Sequence, residues 1–281
     1  MRLNEILTPI HGDLHLVQVE LDQIVHELGD MPSRPVFEHY FKIPGKLLRP
    51  SLLLLASATT DNLKYTTEKS KLIKAATAIE LVHNASLIHD DIVDREMLRR
   101  GQKTINNVFG SKIAAIAGNA LVARAVAIIL EEFSKATALK IVQMIRKMSL
   151  IEIRQLNRNT GSGSREEYLE LIKGKTALLM SNSCMIGSGI VTSDEYKIAA
   201  LQQFGLNFGI TYQIVDDTID QDSLASRHVE LGDAVTYARV AIATLEGFEA
   251  SPYKQALLEM LEYVLSLTHI NAETKVKIVN N

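Results

Sequence analysis

The chain has 281 residues and a formal net charge of −3, with 47% hydrophobic and 22% charged residues. That balance suits a soluble globular protein with a substantial core, is too apolar for a disordered chain, and excludes a general nucleic-acid binder. The single cysteine, Cys184, excludes a disulfide framework and a cysteine-based zinc site, and suits a reducing compartment.

The opening stretch, MRLNEILTPIHGD, carries acids and a proline where a signal peptide needs an apolar run. Leu52 to Ala56 is too short to span a bilayer, and Leu121 to Leu130 is interrupted by Arg124. A cytoplasmic protein without a transmembrane segment is expected. Five of the six prolines lie at or before position 50 and the sixth is Pro252, so Ser51 to Leu245 holds no strong helix breaker. Apolar spacing predicts helices over 3–27, 33–41, 48–60, 68–93, 103–109, 112–134, 136–159, 165–188, 193–220, 230–248 and 252–268. Period-two strands with Asn-Gly or Asp-Gly turns are absent. The stretches 71–93, 112–130 and 199–219 are apolar over most of their circumference and are expected to be buried in a bundle. Gly161 to Gly163 reads as an exposed loop, Ser164 to Glu167 as a capping box, and Gly187 and Gly189 as a helix break. No repeat, low-complexity tract or linker-like shift appears, so residues 1–281 read as one all-α domain.

Two segments interrupt this pattern with acids. Leu81 to Val93 is an apolar run containing Asp90 and Asp91 and followed by Asp94; i,i+3 and i,i+4 spacing puts all three carboxylates on one side of a helix. Phe208 to Asp220 repeats the arrangement with Asp216, Asp217 and Asp220, and Gln213 lies on the same face. A lone cluster of this kind reads as a solvated helix end, yet acids at a C-terminus oppose the helix dipole. Two clusters, each closing an apolar helix, point to oxygen-only ligation of a hard cation, Mg²⁺ above all. Bases accompany them: Lys46 and Arg49 upstream, Arg99 and Arg100 after the first cluster, and Lys175 with Thr176 between the two. Arg forks and Lys point charges are the usual holders of phosphate. His83, seven residues before Asp90, shares its face; it reads either as part of this site or as a core histidine bonded to a carbonyl. His89, Met180 and Cys184 read as structural.

At Gly45–Pro50 (GKLLRP), Glu80–Gly101 (ELVHNASLIHDDIVDREMLRRG), Gly174–Met180 (GKTALLM) and Tyr212–Asp220 (YQIVDDTID), the sequence resembles the trans-isoprenyl diphosphate synthases, or polyprenyl synthetases, in order and spacing. The resemblance implies an antiparallel helix bundle around a deep central cavity (isoprenoid synthase-like), usually a homodimer. It implies a head-to-tail condensation in which an allylic diphosphate ionises, isopentenyl diphosphate attacks the cation and a proton is lost. Asp90, Asp91, Asp94, Asp216, Asp217 and Asp220 match the metal ligands, with about three Mg²⁺ per site implied by the family. Lys46, Arg49, His83 and Arg100 match the isopentenyl diphosphate site; Arg99, Lys175, Thr176 and Gln213 match the allylic diphosphate site. Asp90, Asp91, Asp94, Arg99, Lys175 and Asp216 are the catalytic candidates.

The chain departs from the family at four places. Pro44-Gly45 replaces a double glycine, Gly118-Asn119 replaces Gly-Asp, and Ile151 replaces the glycine of a motif that keeps Glu152 and Gln155. The segment after Asp220 is much shorter than in the family, leaving Arg227 as the nearby base; a slow enzyme, with Ser223 to His228 disordered without ligand, is expected. A low-activity or regulatory subunit of a heteromeric synthase is the alternative. A terpene cyclase has no second diphosphate to bind and so does not need both base groups. Ala85 and Ser86 are small where a bulky floor would stop chain growth, so products longer than fifteen carbons are expected.

Overall fold

A computed structural model describes residues 2–28, 32–156, 164–220 and 228–268. In chain order these form α1 (Leu3–Ile6), a 3₁₀ turn (Thr8–Ile10), α2 (His11–Leu28), α3 (Arg34–Phe41), α4 (Leu48–Thr60), α5 (Asn62–Thr67) and α6 (Lys69–Val93). A hairpin of β1 (Leu98–Arg99) and β2 (Gln102–Lys103) follows, then α7 (Ile105–Phe109), α8 (Ser111–Glu132), α9 (Lys135–Leu156) and α10 (Arg165–Ile172). A π-helical turn (Lys173–Ala177) leads into α11 (Leu178–Val191), α12 (Glu195–Ile219), α13 (Leu231–Thr244) and α14 (Pro252–Ser266).

Local chemistry sets these boundaries. The expected helix over 3–27 divides at Pro9, which occupies the 3₁₀ turn. Asp61 caps α5, a helix that apolar spacing missed, by accepting from the Lys64 amide at 2.9 Å. The Ser164–Glu167 capping box forms as expected. Gly187 and Gly189 break nothing and lie inside α11; a side chain at Gly187 would collide with the backbone carbonyl of Leu53. The helix expected over 103–109 starts two residues later, because Gln102–Lys103 pairs antiparallel with Leu98–Arg99. Arg100 and Gly101 join those strands with φ of 52° and 74°, the backbone of a tight primed turn. The Gly161–Gly163 loop and the segment from Gln221 to Arg227 lie outside the described residues.

The chain forms two compact units. The first draws on Met1–His11, Ser51–Leu72 and Ile141–Asn281. Its centre is α12, which packs on α11, α13, α14 and the π turn through Phe204, Phe208, Ile210 and Ile214, all essentially inaccessible to solvent. The second unit draws on Gly12–Pro50 and Ile73–Lys140, with Leu81, Ile88, Leu121, Ala125 and Ile128 in its core. There α8 departs from expectation: Ile116 is 69% and Leu130 62% exposed, leaving an open apolar face. Among the described residues α8 is long and apolar enough to cross a membrane, by length and composition alone. Its Arg124 is ion-paired with Glu27 of the same unit at 3.2 Å.

Candidate active site

In the second unit the site is assembled on the C-terminal half of α6. Asp90 is half-buried, Asp91 is buried and Asp94 is exposed. The Asp94 amide donates to the Asp90 carbonyl at 2.8 Å, so the helical turn is intact and sets the two carboxylates on one face. Asp91 is the most buried of the three. Its Oδ1 accepts from both Nε and Nη2 of Arg99, each at 2.6 Å, with the Asp91 side chain 3% exposed. Burial raises the Asp91 carboxyl from its ordinary range while the Arg99 contact draws it back; the same contact raises Arg99 against the cost of its own burial. Asn106 holds the end of α6 by donating to the carbonyls of Asp91 at 3.2 Å and Glu96 at 3.0 Å.

The hairpin carries the two arginines. Arg99 lies in β1, and Arg100, in its left-handed conformation, donates to the Ile43 carbonyl at 3.2 Å. Such a backbone is unfavourable for a non-glycine residue, and here it aims a guanidinium. Behind them stand residues that sequence reasoning left unassigned. Tyr40 donates to Asn84, and burial raises its phenol out of the titrating range. Glu80 is 2% exposed, and its Oε2 has no hydrogen-bond partner. Its signal was present: a lone acid in an apolar helix, one turn before His83. His83 Nε2 lies 2.9 Å from Arg49 Nη1. Arg49 can only donate, so Nε2 accepts and the imidazole proton sits on Nδ1. Burial, then Arg49, Arg100 and Arg99, hold His83 well below its ordinary pKa, so it is neutral. Both sequence readings of His83 are thereby narrowed: its partner is a site base, Arg49. Lys46 is exposed just before α4. A cavity of only about 20 Å³ opens between Tyr40, Ile43, Asp91, Arg99 and Arg100. His89 packs on α8 at Gly118, consistent with its structural reading.

In the first unit the second cluster ends α12. Asp216 and Asp217 are half-buried and Asp220 is exposed; the Asp220 amide donates to the Asp216 carbonyl at 2.9 Å. Asp217 is held at both oxygens, Oδ1 accepting from Gln213 Nε2 at 2.8 Å and Oδ2 from the Tyr168 hydroxyl at 2.5 Å. Gln213 in turn accepts at Oε1 from Thr176 at 2.6 Å. The π turn makes this chain possible, because the bare backbone of Gly209 on α12 lets Ala177 come close, where a Cβ would meet the Ala177 Cβ at 2.8 Å. Lys175 in the same turn pairs with Glu152 at 3.9 Å. Glu152 and Tyr168 are thus site residues to which sequence reasoning gave no role. Cys184 is buried and its thiol is pushed up by burial, as a packing residue requires.

Each cluster therefore carries an i,i+4 carboxylate pair, Asp90 with Asp94 and Asp216 with Asp220, beside an aspartate that accepts from protein donors, Asp91 from Arg99 and Asp217 from Gln213 and Tyr168. Among the described residues no three His, Cys, Asp or Glu side chains converge as a closed metal cage. That donor set fits Mg²⁺, which takes one or two carboxylates and completes its shell with water and phosphate oxygens.

A family model described as polyprenyl synthetase matches residues 33–263. Geranylgeranyl pyrophosphate synthase of Geoglobus acetivorans is 30% identical over 242 residues, 83% of this chain and 74% of its own length. Heptaprenyl diphosphate synthase component 2 of Bacillus subtilis is 33% identical over 228 residues, 80% of this chain and 63% of its own length. The crystal structure of geranylgeranyl pyrophosphate synthetase from Pyrococcus horikoshii superposes with a TM-score of 0.81 at 22% identity, over 93% of this chain and 98% of that one. The likeness establishes the all-α, isoprenoid synthase-like fold.

Proposed function

The chain belongs to the polyprenyl synthetase family and is a prenyltransferase, and from that premise we propose that it condenses isopentenyl diphosphate with an allylic diphosphate to a prenyl diphosphate longer than fifteen carbons. The observation that carries this reading is that each carboxylate cluster is tied to a diphosphate-binding group: Asp91 to Arg99, and Asp217 through Gln213 to Thr176. Asp90, Asp94, Asp216 and Asp220 would hold Mg²⁺, with Asp91 and Asp217 orienting their neighbours. When bound, the metal withdraws charge from a departing diphosphate. Lys175, Arg99 and Thr176 bind the allylic diphosphate, and the allylic carbon–oxygen bond breaks with its electrons leaving on diphosphate. Lys46, Arg49, His83 and Arg100 hold isopentenyl diphosphate, whose alkene then attacks the allylic carbon. His83 carries its proton on Nδ1, so it donates from that atom and serves as a neutral partner. Proton loss from the adduct restores the alkene.

Ser86 supports the product length: it is small, half-buried and one turn before Asp90 on α6. Ala85, by contrast, is fully buried and lines packing instead. We read residues 1–281 as one domain, because the family match runs through both units without a break, and as a cytoplasmic homodimer, because the open apolar face of α8 suits a second copy. The similarity to a protein named as a synthase component favours a second reading, a subunit that needs a different chain for turnover. Purified protein with Mg²⁺, labelled isopentenyl diphosphate and allylic primers of increasing length tests both. A product longer than fifteen carbons supports the first reading. Binding of both diphosphates without turnover replaces it with the second.

A further inference from the structure

After Asp91 the chain leaves α6 and must bring Arg99, on β1, back to the Asp91 carboxylate. It turns without a glycine. The Glu96 amide donates to the Asp91 carbonyl at 2.9 Å and the Arg95 amide to the Ile92 carbonyl at 3.4 Å, the bond pattern of a Schellman helix end. Arg95 holds the left-handed position of that motif, with φ of 54°, where glycine is the usual residue. A side chain there disfavours the turn, so the direction in which β1 leaves α6 needs support from elsewhere.

That support comes from the start of α7. Asn106 Nδ2 donates to the Asp91 carbonyl at 3.2 Å and to the Glu96 carbonyl at 3.0 Å, the first on the helix and the second on the chain entering β1. Each carbonyl has another donor, the Glu96 amide for Asp91 and the Thr104 hydroxyl at 2.8 Å for Glu96. Asn106 is therefore not required to satisfy either one. What it adds is a brace from both ends of the turn to α7, which packs on α3 and α8. Its Oδ1 is buried without a hydrogen-bond partner among the described residues, a cost that packing alone gives no reason to carry. The far side of the hairpin is anchored separately: Gln102 donates to the His39 carbonyl, the His39 ring bonds the Lys103 carbonyl at 2.7 Å, and Arg100 donates to the Ile43 carbonyl.

We propose that Asn106 is a positioning residue for the allylic diphosphate site: by bracing the Asp91 and Glu96 carbonyls on α7 it sets the angle at which β1 leaves α6, and so holds the Arg99 guanidinium beside the carboxylates of α6. The inference rests on the proposed allylic diphosphate role of Arg99 and adds a residue that acts through it. Arg100 and the far side of the hairpin have their own anchors, so loss of the brace weakens the allylic site and spares the isopentenyl diphosphate site. A residue that served only the fold would affect both alike.

The test is calorimetric titration with saturating Mg²⁺ of farnesyl thiolodiphosphate, an allylic analogue that ionises too slowly for turnover, and separately of isopentenyl diphosphate, into wild type, Asn106→Leu, Asn107→Ala and Arg99→Ala. Asn106→Leu keeps the size and removes the donor. It is expected to bind the analogue about three- to tenfold more weakly, the equivalent of one hydrogen bond, and isopentenyl diphosphate within about twofold of wild type. Asn107 donates to the Met97 carbonyl at 3.0 Å, beyond the turn, so Asn107→Ala is expected to leave both affinities within about twofold. If Asn106→Leu does not fold, Asn106→Ala carries the test. Unchanged affinity for the analogue, an equal loss for both ligands, or the same split in Asn107→Ala overturns the positioning role and leaves the site reading standing. A wild type that does not bind the analogue, or that binds it equally well after Arg99→Ala, overturns the site reading and the inference together.

Discussion

Asp90 and Asp91 are adjacent in sequence but opposite in role, and replacing each by Asn separates the two. At Asp91 the change removes the charge that meets Arg99 Nε and Nη2 at 2.6 Å in a side chain only 3% exposed. Breaking a buried pair costs about 3–5 kcal/mol, because the surviving charge loses its compensation. Arg99 is 30% exposed, so water partly replaces the carboxylate and the cost falls to about 2–3 kcal/mol. For a chain of this size that lowers the melting temperature by about 4–10 °C. Asp90 is half-buried, about 100° round the helix from Asp91, and Asp90→Asn at this partly exposed position should move the melting temperature by only about 2 °C or less. Turnover should show the reverse ranking: Asp90→Asn loses about 100-fold or more and needs more Mg²⁺, as expected for loss of a metal ligand. Asp91→Asn should keep the wild-type Mg²⁺ requirement and raise the KM for the allylic diphosphate. Thermal melts and Mg²⁺ titrations of the two variants decide the matter. An Asp91→Asn protein that melts like wild type but needs more Mg²⁺ refutes the division.

Three further outcomes are expected. Ser86→Phe should shorten the product, read by chromatography, whereas Ala85→Phe should overpack a fully buried position and cost about 1–3 kcal/mol of stability; an unchanged product from a folded Ser86→Phe enzyme removes that residue from the chain path. Tyr168→Phe deletes a 2.5 Å hydrogen bond to a carboxylate, worth about 1.5–3 kcal/mol, and should slow turnover about tenfold while leaving isopentenyl diphosphate binding intact; equal loss of both would show a general disturbance. His83 is neutral in the fold and takes up a proton on unfolding below its ordinary pKa of 6.5, so its contribution to stability is full above that pH and declines as pH falls through it, by up to about 1.4 kcal/mol per unit. Melting curves at pH 7.5 and 5.5 should show this loss in wild type and a smaller one in His83→Gln, and equal acid sensitivity in both would place the titrating group elsewhere.

What could be read from the sequence was whatever one helix carries by itself. Asp90 with Asp94, and Asp216 with Asp220, share a face because i,i+4 spacing makes them do so, and the structure adds that Asp91 accepts from Arg99 and Asp217 from Gln213 and Tyr168. The hairpin was illegible because each strand has two residues, too few for any period, and its turn uses Arg100 where Asn or Gly would have announced it. The link from Tyr168 to Asp217 crosses 49 positions and depends on a close approach at Gly209, which no local pattern encodes. Glu80 was visible as an acid in an apolar run, but its neighbour Gly45 lies outside that helix. For α8 the error had a different source. Composition registers that a helix is apolar, and it does not register whether this chain or another surface covers the apolar side.

The five residues of the π turn also act as a spacer of fixed phase. An α-helix advances about 100° per residue, so a helix that widens for one turn leaves everything before it rotated relative to an unbroken helix. Deleting one residue between Lys173 and Ala177 would let α10 and α11 fuse into a regular helix with better local hydrogen bonding. It would also turn Tyr168 by about that angle away from Asp217 and change which of Lys175 and Thr176 meets α12. Length in this stretch is therefore under tighter constraint than composition, and single-residue deletions here should be tolerated by the fold far better than by the reaction.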